Sequence, residues 1–411
     1  MSEGPLITDQ SELRALLGHP PFLLYVGGKG LADFSGQMMT VAIGWQLYAL
    51  TQSAFALGLV GLVQFIPTAL LIFIAGHTAD RFPRPRVART CQIAKALTAA
   101  GLAWGSSAGW LTAPEIFIAV ILVGTASAFE GPAASALLPG VTPTGALPRA
   151  AAVSTGAFQA AAICGPALGG LAYAVIPSLP YALAAGAWLV ASMLIGSIRL
   201  DRPITGRVPP TPAVLFAGVR FVRRHPAILG TISLDLFAVL LGGATTLLPI
   251  YARDILATGP WGLGILRSAP AAGALLMTLF IAHHAIERRA GLRMLQAVVG
   301  FGLATVVFGL SRELWLSVLA LAVLGAADTV SMVIRIALVQ IATPDDMRGR
   351  VGAVNALFVN ASYQLGGFES GVTAALLGAV PSVVLGGIGT VLVALLWMKL
   401  FPTLRDVDRL E

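Results

Sequence analysis

Twelve apolar runs follow one another along this chain of 411 residues, separated by short polar segments. A helix needs about 20 predominantly apolar residues to cross about 30 Å of hydrocarbon, and each run reaches that length. The runs cover residues 22–50, 55–78, 88–109, 114–138, 150–175, 179–198, 226–252, 259–282, 292–311, 314–341, 351–377 and 380–400. The pattern predicts an all-α membrane protein with twelve transmembrane helices.

The second half of the chain repeats the first. At an offset of 201 residues, the matched pairs are Thr142-Pro143 with Thr343-Pro344, Arg149 with Arg350, Gly165 with Gly366, and Gly170 with Gly371. Nearer the start of each half, at an offset of 206 residues, the pairs are His19-Pro20 with His225-Pro226, and Gly36 with Gly242. The repeat predicts two pseudo-symmetric six-helix bundles. Such repeats, with a substrate site between them, are typical of secondary transporters.

Basic residues gather in alternate loops. One set of loops and helix ends carries Arg81, Arg84, Arg86, Arg89, Arg149, Arg199, Arg202, Arg207, Arg220, Arg223, Arg224, Arg288, Arg289, Arg293, Arg348, Arg350, Lys399, Arg405 and Arg409. The other set carries Arg253 and Arg312. The positive-inside rule therefore predicts that both termini and the basic loops lie in the cytoplasm. The net charge of +7 is then a topology signal, so we expect no nucleic-acid partner.

The same pattern divides the chain. We predict a cytoplasmic N-terminal segment, a six-helix bundle, a proline-containing cytoplasmic linker, a second six-helix bundle and a cytoplasmic tail, at residues 1–21, 22–198, 199–225, 226–401 and 402–411. No apolar core precedes His19, so we expect no cleavable signal peptide. The linker has room for no catalytic domain, and we expect the protein not to be an enzyme.

Composition agrees with a membrane location. Hydrophobic residues make up 57% of the chain and charged residues 11%, about half the charged share usual in soluble domains. The two cysteines, Cys91 and Cys164, are too few and too far apart to suggest a disulfide framework or a metal site. We therefore expect neither a metal nor a cofactor.

The loop after the second span carries Gly76, Asp80, Arg81 and Arg84. An acid followed by arginines at a helix end can pair with neighbouring helix ends and hold one conformation. A loop that only fixes membrane orientation would have the same charges. The spacing resembles the loop motif of the major facilitator superfamily, although Pro83 stands where that motif usually has glycine. The resemblance implies that Asp80, Arg81 and Arg84 lock the cytoplasmic gate of the outward-open state.

The fifth span carries Gly165, Pro166, Gly169 and Gly170. Small residues and a proline allow close helix packing and a bend. The motif also resembles the antiporter motif of drug exporters in the superfamily, which implies export. The segments 44–58 and 342–355 are similar to the enterobactin-exporter-like branch, bacterial exporters of drugs and siderophores. That similarity implies a multi-pass protein of the bacterial cytoplasmic (inner) membrane.

Four spans carry a carboxylate well inside the membrane: Asp33, Glu130, Asp235 and Asp328. Ionisable residues are costly there, so each is a functional candidate. The resemblance implies that their spans, the first, fourth, seventh and tenth, line a central cavity. We therefore expect a ring of acids around one cavity, which would favour substrates with cationic or polar groups.

Two cations stand near these acids. Lys29 lies one helical turn before Asp33, and by the repeat it also occupies the position of Asp235, so it could meet either acid. Arg335 lies seven residues after Asp328, about two turns along the same helix face. These pairs either take part in transport or are static pairs that neutralise charge.

The predicted cavity residues are Lys29, Asp33, Phe34, Gln37, Met38, Glu130, Asp235, Phe237, Asp328 and Arg335. Arg267 lies farther toward the outer face, where we expect its side chain to reach the outer interface. Glu130 has no cation nearby in sequence, and we favour Glu130 or Asp33 as the proton-coupling acid. Protonation from outside would neutralise that acid and favour return of the empty transporter to the cytoplasmic side.

These features together predict a proton-driven exporter of amphipathic organic molecules that works by alternating access. Its expected partners are a small-molecule substrate, protons and the lipid bilayer, and we expect a monomer. Two alternatives stay open: a facilitative or proton-coupled importer of a sugar or metabolite, and a non-transporting membrane sensor. Efflux against a gradient that collapses with an uncoupler would separate export from import.

Overall fold

The computed structural model describes residues 16–199, 212–284 and 289–405, and these residues form helices without β-strands. The first half contains α1 Pro20–Thr51, α2 Ala54–Arg81, α3 Arg84–Ala108, α4 Ala113–Val141, α5 Leu147–Val175 and α6 Leu179–Gly196. Pro212–Arg224 is the linker helix. The second half begins with α7 Pro226–Leu241 and contains α8 Gly259–His283, α9 Ala290–Leu310, α10 Leu314–Ile341, α11 Asp345–Leu377 and α12 Ala379–Leu400, followed by Pro402–Arg405. Predictions for the segments 1–15, 200–211, 285–288 and 406–411 lie outside the described residues.

Nine helices in the described part of the chain are long and apolar enough to cross a membrane. The other three long helices, α1, α3 and α11, have comparable length but are more polar. Their polar side chains include Lys29 and Asp33 on α1, Lys95 on α3 and Gln364 on α11. The predicted all-α membrane architecture is confirmed. The three helices that fall short are ones that supply polar groups to the protein interior.

Helices at equivalent positions in the two halves pack against equivalent neighbours. In the first half, α3 packs against α4 and α6, α2 against α4, and α1 against α5 and α6. In the second half, α9 packs against α10 and α12, α8 against α10, and α7 against α11 and α12. The halves meet along two helix pairs, α2 with α11 and α5 with α8. This packing has the pseudo-symmetry that the sequence repeat predicted.

Glycines at matched positions allow this packing. An ideal Cβ built at Gly165 would lie 3.1 Å from the carbonyl oxygen of Phe34, and one at Gly366 would lie 2.8 Å from that of Leu240. In the repeat, Gly165 matches Gly366 and Phe34 matches Leu240. Small residues permit close helix approach where lipid supplies no hydrophobic drive for association. The same contact between α1 and α5 therefore recurs between α7 and α11.

The chain after α7 changes its winding before it reaches α8. A 3₁₀ turn at Ala244–Leu247 is followed by a short α-turn and a π-turn at Tyr251–Ile255. The Tyr251 hydroxyl donates a hydrogen bond of 2.9 Å to the carbonyl oxygen of Gly309, at the end of α9. This bond fixes the π-turn to the second bundle. Single π-turns often occur at functional positions.

Candidate functional site

The helices alternate in direction, so the bundle has two ends. We call the end where α1 begins and α2 finishes the basic end, because the arginine-rich loops of the sequence lie there. The opposite end is where α1 finishes and α2 begins. Arg253 and Arg312 lie at the opposite end.

A cavity of about 350 Å³ lies between the two halves. This volume falls within the range of about 300–1,000 Å³ that small-molecule sites occupy. Its polar lining includes Asp33, Gln37, Gln64, Lys95, Arg267 and Gln364. Its apolar and aromatic lining includes Met39, Ile43, Val60, Phe158, Trp188 and Leu263. Because the wall combines apolar and polar surface in similar amounts, it can hold an amphipathic molecule.

Only part of the predicted cavity set lines this space. Asp33 and Gln37 do so. The residues outside its lining are Lys29, Phe34, Met38, Glu130, Asp235, Phe237, Asp328 and Arg335. The four acids therefore do not form one ring around this cavity. The apolar periodicity did not determine how each helix is rotated about its axis. The other three acids instead contact side chains of neighbouring helices.

Several of the displaced residues have packing roles. Met38 is buried against Gly169, where an ideal Cβ would lie 3.0 Å from the carbonyl oxygen of Met38. Phe237 packs on Trp397, with ring centroids 5.4 Å apart. The carbonyl oxygen of Phe34 lies 3.1 Å from the ideal Cβ position of Gly165, where α5 approaches α1 closely. These contacts help to hold α1 and α7 in place.

Glu130 lies in a buried network with α3. Lys95 donates to one carboxylate oxygen of Glu130 at 2.5 Å, and Gln92 donates to the other at 2.9 Å. Sequence reasoning missed this partner, because Lys95 is thirty-five residues away on another helix. The sequence did contain one signal of this network: Gln92 and Lys95 lie one helical turn apart, so their side chains share a face of α3. Since Lys95 lines the cavity, it connects Glu130 to that space.

Lys29 and Asp33 form the predicted pair one turn apart, with 2.5 Å between the ammonium and the carboxylate. Asp33 and Lys95 also line the same cavity. The first bundle therefore holds two acids and two lysines in one cluster, which we call the N-bundle charge cluster. Its formal charges sum to zero.

The second bundle pairs its charges differently from the sequence prediction. Arg335 forms a buried ion pair with Asp235, and not with Asp328. Asp328 instead accepts a hydrogen bond of 3.3 Å from the hydroxyl of Tyr363 on α11. Lys29 and Asp235 are not paired with each other in this structure, because each has a partner in its own bundle. Two turns along α10 place Arg335 toward α7, where Asp235 is the nearer acid.

Arg267 does not reach toward the outer interface as expected. Its side chain is half-buried and lines the cavity. One guanidinium nitrogen donates to the carbonyl oxygen of Thr245 at 3.4 Å. The helical twist of α8 points this residue inward at the junction of the halves. The position of Arg267 along its span did not reveal which face of α8 carries the side chain.

The two halves contact each other closely toward the opposite end. An ideal Cβ at Gly170 on α5 would lie 3.0 Å from the Cα of Gly264 on α8. Likewise, one at Gly58 on α2 would lie 2.8 Å from the Cα of Gly371 on α11. The repeat relates Gly170 to Gly371 and Gly264 to Gly58. We call these two contacts the glycine seals.

Tyr48 and Asp254 meet between the glycine seals. The Tyr48 hydroxyl donates to the carboxylate of Asp254, and the two residues are separated by 206 residues. That separation is the repeat offset, so the hydrogen bond lies on the pseudo-two-fold axis. The guanidinium of Arg253 lies 5.7 Å from the centre of the Tyr48 ring. Sequence analysis did not identify this contact, although the shared offset was visible.

The loop motif lies at the basic end. Arg84 is buried at the start of α3 and donates to the carbonyl oxygen of Ala136 on α4 at 3.0 Å. Arg81 is exposed at the end of α2, and Gly76 is half-buried one turn earlier. The side chain of Asp80 lies outside the described residues. The observed contact of Arg84 ties helix ends within the first bundle.

The fifth-span motif has contacts on two sides. Gly165 and Gly169 face α1, whereas Gly170 faces α8 in a glycine seal. The carbonyl oxygen of Pro166, also on α5, lies against Gly264. The motif therefore gives α5 close contacts with both halves of the molecule.

Comparison with known proteins agrees with this architecture. The model of a major facilitator family described as transmembrane secretion effector matches residues 26–410. The enterobactin exporter EntS of Citrobacter koseri is 27% identical over 399 residues, which cover 96% of this chain and 94% of the relative. EntS of Salmonella typhimurium is 26% identical over 401 residues, covering 96% and 95%.

Solved transporters have the same fold at low sequence identity. A bacterial homologue of the iron transporter ferroportin, in an inward-facing state, has a TM-score of 0.71 at 16% identity and covers 95% of this chain and 99% of that one. An inward-facing, unoccupied bacterial homologue of the human lysosomal transporter Spinster has a TM-score of 0.73 at 13% identity, covering 97% and 99%. The protein is a multi-pass membrane transporter of small molecules and not an enzyme. The chain belongs to the transmembrane secretion effector family of the major facilitator superfamily.

Proposed function

We propose that the protein exports amphipathic organic molecules of the drug or siderophore type across the bacterial cytoplasmic membrane, in exchange for protons. The observation that carries this proposal is the cavity between the halves, whose wall combines apolar and aromatic side chains with several polar groups. The names of the relatives as enterobactin exporters support the siderophore class and the direction.

The mechanism is alternating access of the two bundles. By the positive-inside rule, the basic end faces the cytoplasm, as do both termini. The glycine seals and the Tyr48–Asp254 bond then close the path to the outside. In this state substrate enters the cavity from the cytoplasm. Rotation of the bundles separates these contacts and brings the basic ends together, where Arg81 and Arg84 with Asp80 would hold the outward-open state.

Proton coupling uses the N-bundle charge cluster. Asp33 lines the cavity, and Glu130 reaches it through Lys95. Protonation of either acid releases its lysine partner and leaves a net positive charge inside the first bundle. An unpaired charge in a low-dielectric interior is costly. Proton binding therefore changes the relative free energy of the two states, and loading from outside favours return of the empty transporter to the cytoplasmic side.

Export is tested with cells that make enterobactin but lack their own exporter. Expression of this chain should restore secretion, and an uncoupler of the proton gradient should abolish the restored part. If secretion is not restored and a panel of amphipathic dyes accumulates in cells, the protein is an importer and the proposed direction is wrong. If neither enterobactin nor any dye moves, the proposed substrate class fails.

Coupling is tested in proteoliposomes with an imposed pH gradient, using the compound identified in cells. We compare Glu130→Gln and Asp33→Asn with wild type, after confirming that each elutes as a monodisperse species. At least one variant should lose gradient-driven accumulation and still equilibrate substrate down its own gradient. Full gradient-driven activity in both variants would exclude these acids from coupling.

A further inference from the structure

Arg267 is the cavity-lining charge that lacks an acidic partner. Three charged side chains line the cavity: Asp33, Lys95 and Arg267. Asp33 is paired with Lys29 and Lys95 with Glu130, each at 2.5 Å. Within the described residues, no carboxylate lies within ion-pairing distance of Arg267. The unbalanced formal charge at the cavity wall is therefore positive.

The guanidinium of Arg267 has most of its donors free for a ligand. Arginine carries five N–H donors in a planar fork that matches a carboxylate or similar oxyanion. In the described structure, one nitrogen donates to the carbonyl oxygen of Thr245, at a long distance of 3.4 Å. The remaining donors belong to a half-buried side chain that borders the cavity. Such a group can bind an anion without first breaking an ion pair.

The packing of the fold does not require an arginine here. In the repeat, Arg267 matches Gly61 on α2, where an ideal Cβ would lie 3.0 Å from the carbonyl oxygen of Gln364. The first half therefore uses a residue without a side chain at the equivalent position. A charged residue inside a membrane protein is costly. The asymmetry thus points to a role in ligand binding and not in the contact between halves.

The surroundings of Arg267 define the rest of the ligand. Two amide side chains, Gln64 on α2 and Gln364 on α11, line the same cavity and can hydrogen-bond polar groups. Phe158, which is 42% exposed, lines it from the first bundle and provides aromatic surface. A ligand with one anionic group and an aromatic body would place its charge on the second bundle and its rings against the first.

We propose that Arg267 forms an anion-binding subsite, so that the preferred substrates are amphipathic aromatic anions. This inference rests on the proposed function, because it assigns the substrate class of the same cavity. It replaces the expectation from the sequence that four acids would favour cationic groups. Of those acids, only Asp33 lines the cavity, and its charge is already balanced by Lys29.

The test uses three probes with one ring system: 2-naphthoate, 2-naphthamide and 2-naphthylmethylammonium. Their binding to the purified full-length protein is measured by ligand-dependent thermal stabilisation. Wild type should bind naphthoate at least about tenfold more tightly than naphthamide, since charge-assisted hydrogen bonds are stronger than neutral ones. The naphthylmethylammonium probe should bind most weakly.

Variants of Arg267 then locate the effect. Arg267→Gln should weaken naphthoate binding about tenfold and leave naphthamide binding within about twofold, whereas Arg267→Lys should retain part of the preference. Arg312→Gln is the matched control, because Arg312 is exposed at the opposite end, and it should bind like wild type. If Arg267→Gln fails to fold, Arg267→Lys with all three probes still measures the preference.

Three outcomes would overturn the subsite. These are naphthoate binding no tighter than naphthamide in wild type, an equal loss of both probes in Arg267→Gln, and no binding of any probe to wild type. The measurement needs no transport. A protein that prefers naphthoate but fails to secrete any compound would contradict the proposed export and leave the subsite intact.

Discussion

The glycine seals give the sharpest test of the alternating-access mechanism. An alanine at Gly58 would place its Cβ 2.8 Å from the Cα of Gly371 and 3.1 Å from the carbonyl oxygens of Gly367 and Phe368. Ordinary carbon contacts need about 3.5–4.0 Å, so α2 and α11 must separate by about 1 Å. All three obstacles are backbone atoms, which cannot turn aside as a flexible side chain could.

The expected size of the effect follows from this overlap. Overpacking of a close contact typically costs about 1–3 kcal/mol. In the proposed mechanism, this cost applies only to the state in which the opposite end is closed, because the contact between α2 and α11 separates in the other state. A bias of that size changes the ratio of two states by about 5–150-fold. Gly58→Ala should therefore shift the population strongly toward the state that is open at the opposite end.

The shift is measured by electron-electron distance spectroscopy in lipid nanodiscs. Spin labels at Ser107 and Arg312, both exposed near the opposite end in different halves, report the separation there. The background replaces Cys91 and Cys164 with alanine. Gly156→Ala is the matched control, because nothing lies within 4 Å of its ideal Cβ. The control should keep the wild-type distribution, whereas Gly58→Ala should add a longer-distance population.

An unchanged distance distribution in Gly58→Ala, with the variant folded, would refute the reasoning. It would mean that the α2–α11 contact is not broken during the cycle. Gly170→Ala repeats the experiment at the other glycine seal, between α5 and α8. There too the added Cβ would meet backbone atoms, those of Pro260 and Gly264. A shift in one variant but not the other would show that the seals do not open together.

Two further predictions concern the polar contacts. Tyr48→Phe removes the hydrogen bond to Asp254 and should shift the same spin-label distances in the same direction as Gly58→Ala, since hydrogen bonds to charged groups contribute about 1.5–3 kcal/mol; an unaltered distribution would show that the bond does not hold the closed end. Lys95→Met should destabilise the purified protein by about 3–5 kcal/mol, because it leaves Glu130 buried without its cation. Adding Glu130→Gln should recover most of the loss in melting temperature, and a double variant no more stable than Lys95→Met would contradict the pairing.

The fold followed from the sequence because its determinants are local or repeated. Runs of apolar residues predict spans, and the 201- and 206-residue offsets predict matched halves. The pair Lys29–Asp33 was also predictable, since it lies within one helical turn. Each of these inferences needs only distance along the chain or a comparison of the two halves. None of them depends on how one helix is rotated against its neighbours.

The details of the site did not follow, because they depend on that rotation. Arg335 is on the same helix as Asp328 but faces Asp235 on α7. Arg267 was assigned to the correct span but to the wrong face of α8. Lys95 was overlooked because its partner is on the adjacent helix. A hydrophobic span tolerates many rotations with equal apolar character, so the periodicity carries little information on which residue faces the cavity.

The repeat separates two kinds of residue in this transporter. The residues that join the bundles obey it: the glycine seals exchange under the offsets, and Tyr48 contacts its own equivalent, Asp254. Because these contacts share one axis, a single rotation can break them all together. Arg267, the proposed ligand-binding residue, departs from the repeat because it matches Gly61. Symmetric contacts bring the two bundles together at one end, whereas the asymmetric charge of Arg267 would give the cavity its chemical preference. On the proposed assignment, a substitution at Arg267 would change substrate specificity without altering the contacts at the opposite end.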